Sequence, residues 1–284
     1  MQIPKGGVAF FDSGIGGLTV LHACTTRIGG HVFYYYGDNA NAPYGNLSEE
    51  KIFSLVTAAF DTFERLEVKA AVIACNTVTA VCAEKLRARY SFPIIGAEPA
   101  IKPAARLGGD IFILATSATC KSAKFQSLCR RVEEEYPYAN LLIHPCPQLA
   151  GEIEKGMEKG DFDISIHIPT GKPSAVVLGC THYIYIKERL KRHYSCPIFD
   201  GNLGISTRLS TLLGSANLMD LSTKNQLFIH TYPKSRDEQP LFSTRQNLNK
   251  KADFLHKIYF LGDFKDKNKR IYEQMFATSG NKRD

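Results

Sequence analysis

The sequence contains no run of about 18 apolar residues, so it offers no membrane-spanning helix. Its first residues, MQIPKGGVAFFDSG, carry one Lys and a short strand-like run broken by Asp12 and Gly14. They lack the apolar stretch of about 7–15 residues and the cleavage site of a secretory signal. No two of the eight cysteines stand in CxxC spacing. The chain therefore shows neither the disulfide framework of a short secreted protein nor the paired ligands of a tetrahedral zinc site. Cys180-Thr181-His182 is a close Cys/His pair, but nothing nearby completes it, so no metal is expected. RNP, KH and zinc-finger patterns are also missing. Together these absences predict a cytoplasmic protein with reduced thiols.

Charge is not balanced along the chain. The formal net charge is +7, and 245–284 holds ten Lys/Arg against five Asp/Glu. A basic tail can attract nucleic acid or an anionic surface. Here its aromatics are spaced like core positions, and the segment reads as a solvated helical face with a frayed terminus. The expectation is no nucleic-acid partner and no membrane partner.

What is present is ample apolar material: 44% of 284 residues are hydrophobic. At about 100–200 residues per domain, the length suggests two domains. Apolar runs rich in β-branched and aromatic residues occur at 7–11, 31–36, 70–74, 93–96, 111–115, 141–144 and 175–178. Helical patterns lie between them at 49–66, 78–90, 121–136 and 184–193. Alternation of this kind predicts parallel sheets covered on both faces. A weak internal repeat supports two halves. GGVAFFDS near residue 7 resembles GDIFILAT near residue 110, and AAVIACNT resembles SAVVLGCT, whose cysteines are 105 residues apart. The predicted fold class is α/β, with two pseudo-symmetric domains of mostly parallel sheet and the active site in the cleft between them. The predicted boundaries are 1–97 plus 202–284 for the first domain, which includes a C-terminal appendage, and 98–201 for the second. A hinge is expected near 96–103.

Functional loops of parallel sheets sit at the C-terminal ends of the strands. Four such ends carry small polar clusters: Asp12-Ser13-Gly14, Cys75-Asn76-Thr77, Thr116-Ser117-Ala118-Thr119 and Cys180-Thr181-His182. Cys75 and Cys180 each follow an apolar run and precede a helix start, where the helix dipole and backbone NH groups favour a thiolate. Cys24, Cys82, Cys120 and Cys129 fall inside helical patterns and read as small core residues. Two thiols facing each other suit removal of a proton from one face of a carbon and its return to the other, which is stereoinversion. The turn Gly14-Ile15-Gly16-Gly17-Leu18-Thr19 does not complete GxGxxG, which argues against a dinucleotide site. Gly16 and Gly17 are instead expected to let backbone approach a small anion. Asp12 reads either as a helix cap or as a group that takes a ligand ammonium or orients Cys75. Pro43-Tyr44-Gly45 reads as a turn whose amides can still reach a ligand.

These segments together resemble the glutamate racemase family, within the wider aspartate/glutamate racemase group. The resemblance rests on FDSGIGG at 11–17, GDNANAPYG at 37–45, ACNT at 74–77, GAEPA at 96–100 and GCTH at 179–182, in that order. It covers about residues 7–215. It implies cofactor-independent interconversion of L- and D-glutamate, which supplies D-glutamate for peptidoglycan, cell-wall biogenesis and cell shape. It also implies a homodimer. Carried over by position, Cys75 acts on the α-proton of D-glutamate and Cys180 on that of L-glutamate, with Asp12 and His182 assisting. Asp12, Ser13, Tyr44, Gly45, Asn76, Thr77, Thr119, Thr181 and His182 are implied to bind substrate. The family's glutamate maps to Glu154, with Glu152 the alternative. After GCTH this chain runs Tyr183-Ile184-Tyr185, where the family usually continues with an aromatic and Pro. Gly151 stands where the family usually has Pro. Two other readings remain open at this stage. One is a racemase, isomerase or decarboxylase of another diacid, and the other is a binding protein built around the basic tail.

Overall fold

The computed structural model describes residues 4–159, 163–214, 226–231, 242–247 and 255–262. All seven expected strands form. They are β1 (Val8–Asp12), β2 (Val32–Gly37), β3 (Ala70–Ile73), β4 (Ile94–Gly96), β5 (Gly109–Ala115), β6 (Ala139–Pro145) and β7 (Ala175–Gly179). The helices are α1 (Gly17–Thr25), α2 (Glu49–Arg65), α3 (Asn76–Arg89), α4 (Ile101–Ala105), α5 (Ser117–Lys121), α6 (Ala123–Glu135), α7 (Leu149–Lys159), α8 (Lys187–Tyr194) and α9 (Asn202–Leu212). Four more strands are β8 (Ile198–Phe199), β9 (Gln226–Thr231), β10 (Phe242–Asn247) and β11 (Leu255–Gly262).

Continuous apolar sequence dictates strands buried on both faces, and β1 (VAFFD) and β7 (AVVLG) are buried at every position. Two sheets result. The first runs β10-β9-β11-β2-β1-β3-β4 and the second β6-β5-β7-β8. Within the first, the quartet β2-β1-β3-β4 is parallel and repeats the strand order of the second sheet. The sequence repeat is therefore a repeat of topology. Phe11 aligns with Tyr36 and Ile73 on either side, and Ala115 aligns with Pro145 and Gly179. The central strand of each quartet thus ends level with its neighbours, so the polar loops emerge along one edge of each sheet.

Helices seal the faces. In α2, Ser48 accepts the Lys51 amide at the N-cap, with Glu49 and Glu50 in the first turn and Arg65 in the last. These groups complement the helix dipole. Its apolar stripe of Ile52, Val56, Phe60 and Phe63 packs on one face of the first sheet. Phe60 lies at the centre, with ring centroids 6.4 Å from Phe11, 5.2 Å from Phe63, 5.4 Å from Tyr90 and 6.1 Å from Phe92. On the other face, Leu18 and Leu21 of α1 share a core with Ile205 and Leu209 of α9. The chain leaves the first sheet after β4, and α4 packs directly into the second core through Ile101, Ala104 and Ala105. It returns after β8, where Lys187 pairs with Asp200.

One expectation for the C-terminal region is corrected. Residues 255–262 are a strand rather than a solvated helical face. β11 runs parallel to β2 and to β9, and Ile258 and Leu261 are buried in the two cores of the first sheet. The sequence HKIYFLG has the β-branched and aromatic content that a sheet interior favours, and that preference overrides its basic flanks. The rest of the basic tail, 263–284, lies outside the described residues.

Truncation of Phe60 to Ala should cost about 3–5 kcal/mol in denaturant unfolding, because four aromatic neighbours lose their common partner. A loss below about 1 kcal/mol would show that this face collapses freely around the gap.

Candidate active site

The loops after β1, β3, β5 and β7 meet between the two sheets. Cys75 follows β3 and is the N-cap residue of α3. Cys180 follows β7 in extended geometry, φ −146° and ψ 139°. Both are buried, at 6% and 7% exposure. The second cysteine departs from expectation in one respect. It precedes a 3-10 turn, Thr181–Ile186, rather than an α-helix, so no long helix dipole points at it. Cys24, Cys82, Cys120 and Cys129 sit in helices, as their patterns predict.

Each thiol has a different companion. The Cys75 Sγ is 3.4 Å from the Ser13 Oγ. Burial, followed by the nearby Asp12 carboxylate, pushes the Cys75 thiol up to about 12, against the opposing pull of the Ser13 hydroxyl and the Val78 amide. The Cys180 Sγ is 3.9 Å from His182 Nδ1, and His182 Nε2 is 2.7 Å from Glu154 Oε1. Burial works against an imidazolium at His182, but Cys180, Glu154 and Asp12 outweigh it and raise its pKa well above the usual value. Glu154 rather than Glu152 reaches the imidazole. Ile153 anchors α7 in the core, Glu154 turns to the cleft, and Glu152 faces outward to Lys155 at 2.8 Å.

Asp12 is fully buried at the end of β1. One carboxylate oxygen accepts the Gly14 amide at 3.0 Å, and the other accepts the Thr181 hydroxyl at 3.3 Å from the opposite half. The Gly17 amide also reaches it, so Asp12 both caps the loop into α1 and faces the second half. Burial raises its pKa, opposed by His182, the two amides and Thr181.

The glycine loop permits close packing at two points. A Cβ on Gly16 would lie 2.3 Å from Thr181 Oγ1 and 2.8 Å from the His182 amide nitrogen. A Cβ on Gly17 would lie 2.5 Å from the Asp12 Cβ and 2.9 Å from the Tyr35 hydroxyl. Gly16 lets the two halves touch, and Gly17 lets the loop close over Asp12 and Tyr35 within the first half. Gly45 approaches the second half in the same way, with its Cβ position 3.3 Å from that of Thr116. Tyr44 turns its ring into the core beside Phe11 and donates to Asp38 at 2.6 Å, so only its backbone faces outward chemistry. Thr77 and Thr116 share a hydrogen bond of 3.0 Å across the halves, and Thr116 donates to Thr119 at 3.0 Å.

Asn76 lines two spaces. One, of about 220 Å³, is bounded also by Cys180 and Thr181, and the other, of about 300 Å³, by Thr119. Hydrogen bonds and close approaches tie Asp12, Ser13 with Cys75, Gly45, Thr77, Thr119, Thr181, and Cys180 with His182 and Glu154 to the seam between the two sheets. Sequence reasoning preferred Thr119 within 116–119 and so passed over Thr116, which links Thr77 to Thr119; it missed Asp38, which also accepts Asn41 at 2.9 Å and so holds the 38–45 loop. A partial signal existed in each case. Thr116 belongs to the polar cluster after β5, and Asp38 opens the GDNANAPYG segment.

Such a site can do acid–base chemistry at a carbon with no cofactor. It brings two thiols, an imidazole, two carboxyl groups and several hydroxyl and amide donors to a largely buried seam, where electrostatic interactions are strong.

Comparison with known proteins agrees with this class. Residues 19–203 match the model of the Asp/Glu/Hydantoin racemase family. The chain belongs to the Asp/Glu/hydantoin racemase family. Within it, the chain is similar to the glutamate racemase of Clostridium botulinum, at 38% identity over 258 residues, covering 87% of this chain and 98% of that protein. It is also similar in structure to Escherichia coli glutamate racemase, solved with L-glutamate and the activator UDP-MurNAc-Ala. That match has a TM-score of 0.64 and 30% identity, covering 75% of this chain and 84% of the other. A glutamate racemase isoform from Bacillus anthracis shares the fold, with a TM-score of 0.70, 24% identity and coverage of 96% and 94%. No helix among the described residues is long and apolar enough to cross a membrane.

The raised pKa values of Asp12 and His182 have one sign: the folded state binds the proton more tightly at both groups than the unfolded chain does. Stability from His182 is complete below its unfolded value of 6.5 and is lost as pH rises through the higher folded value. The denaturant midpoint of the parent should therefore fall relative to that of His182→Gln from pH 6.5 upward. A constant difference across that range would contradict the imidazolium.

Proposed function

We propose that this chain interconverts L- and D-glutamate by two-base proton transfer between Cys75 and Cys180, without a cofactor. The reading is carried by the placement of the two cysteines in equivalent loops at one cleft. It is supported by 38% identity to a glutamate racemase along nearly that protein's whole length.

Cys180 removes the α-proton of L-glutamate, and Cys75, held as a thiol by burial, returns a proton to the opposite face. The roles exchange in the D-to-L direction. His182 lies within reach to take and return the Cys180 proton, and Glu154 orients the imidazole. Ser13 orients the Cys75 sulfur, and Asp12 assists that thiol and receives the substrate ammonium. Charge develops on the substrate carboxylate as the α-carbon loses its proton. Hydroxyl and amide donors from Asn76, Thr77, Thr119 and Thr181, with the backbone at Tyr44 and Gly45, stabilise it. Preorganised donors of this kind are most effective where water is excluded.

The domain division is part of the same proposal: 1–97 with 202–284, and 98–201. The protein is a cytoplasmic homodimer whose small-molecule partner is glutamate, and its D-glutamate supplies peptidoglycan.

Circular dichroism of L-glutamate with the purified protein in D2O, with NMR of the α-position, tests the reading directly. The optical signal should decay as deuterium enters both enantiomers. Clear preference for aspartate, or no exchange with any diacid, would overturn the glutamate assignment. Cys75→Ala and Cys180→Ala should each lower racemisation by about 10²–10⁴-fold, the range of a lost acid–base group. Exchange of L-glutamate should persist in Cys75→Ala and exchange of D-glutamate in Cys180→Ala. A double variant that still racemises would eliminate the two-thiol mechanism.

A further inference from the structure

We propose that Tyr185 is a positioning residue: its hydroxyl, donated to the Ile15 carbonyl at 2.8 Å, holds the loop bearing Asp12 and Ser13 against the turn bearing Cys180 and His182. The inference rests on the function proposed above and adds a residue that sets the relation between the two thiols.

The turn Thr181–Ile186 is a 3-10 helix. At three residues per turn, positions i and i+3 eclipse, so His182 and Tyr185 share one face. Both meet the same loop of the first half. The His182 ring borders Gly14 and Gly16, whose Cβ positions would fall 3.2 Å from Nε2 and 2.8 Å from Nδ1, while Tyr185 reaches the carbonyl of Ile15 between them. The next carbonyl back, that of Gly14, accepts the Tyr35 hydroxyl at 2.7 Å from beneath. Two tyrosines thus fix consecutive carbonyls, Tyr35 from within the first half and Tyr185 from the second. The ring of Tyr185 packs against the cores of both halves, so its hydroxyl is aimed by apolar contact on two sides. The Thr181 hydroxyl on Asp12, at 3.3 Å, is a second tie between these two segments.

The consequence is geometric. Ser13 touches Cys75, and His182 touches Cys180. A bond between the segments carrying Ser13 and His182 therefore couples the placement of both thiols. Proton removal and return need both at once, whereas removal alone needs one.

Tyr185→Phe keeps the ring and deletes the donor. Its thermal midpoint should stay near that of the parent, while kcat falls about tenfold to a hundredfold, the scale of a misplacement near 1 Å, with a smaller change in KM. The specific signature is the ratio of α-proton exchange without inversion to racemisation, which should rise. Iodoacetamide labelling of Cys75 and Cys180, followed by peptide mass spectrometry, should accelerate as the seam loosens. Replacement of Tyr185 by 4-aminophenylalanine, which retains a donor at the ring tip, should restore the parent ratio. Tyr138→Phe, on the surface, should behave as the parent does. Equal losses in exchange and racemisation, or unchanged labelling, would overturn the proposal. If the parent itself fails to racemise glutamate, the function falls, and the labelling rates still decide the role of Tyr185. If Tyr185→Phe does not fold, amide hydrogen exchange of the parent decides it. Residues 14–17 and 181–186 should open together, and independent opening would refute the tie.

Discussion

Missing side-chain volume at Gly16 is the constraint on which the site depends. With a Cβ there, the loop after β1 would collide with Thr181 and with the backbone of His182. Its absence lets two segments 165 residues apart in sequence lie in contact, and the buried polar bonds of the cleft follow from that approach. Thr181 can reach Asp12, Tyr185 can reach Ile15, and His182 can sit between Cys180 and Glu154. These bonds join groups that are buried or nearly so. In a medium of low polarity, such a network stiffens when every member has a partner.

The scaffold is nearly symmetric, but its helpers are not. By the repeat, Cys75 and Cys180 are counterparts. Asp12 instead aligns with Ala115, and His182 with Thr77, so each half supplies one ionisable assistant that the other lacks. The two assistants perturb each other, since Asp12 favours the imidazolium and His182 favours the carboxylate. Charge is shared diagonally across the cleft, while the carbon skeleton of the site stays duplicated. A reaction that must run equally in both directions over a chiral centre is compatible with a duplicated frame and with unequal companions for its two bases.

Much of this was legible before any coordinates, and the reasons are physical. The seven strands of the two quartets declare themselves because both their faces are buried, which forces continuous apolar runs. The cysteine loops stand out because the repeat places them at matched strand ends. What stayed hidden depends on contacts between distant segments. β11 looked like part of a basic tail because nothing local reveals a pairing of Lys257 with Val32. The glycines at 16 and 17 announced a need for space without saying what fills it. Glu152 and Glu154 differ only in which face of α7 they occupy. Tyr185 reads as an apolar-patterned residue until a carbonyl 170 positions earlier is seen to accept its hydroxyl.

The position of β11 has a consequence for the order in which the molecule can be assembled. The second sheet is built from one continuous stretch, β5 to β8, and can close as soon as that stretch has emerged from the ribosome. The first sheet cannot. The flank of β2 that β11 covers stays open until residues 255–262 have been made, so β1 to β4 wait through most of synthesis with a row of unpaired backbone groups on an aromatic-rich strand, VFYYYG. An uncovered edge of that kind is a template for wrong pairing between chains. The half that carries Asp12 and Cys75 is thus the first to be translated and the last to be finished.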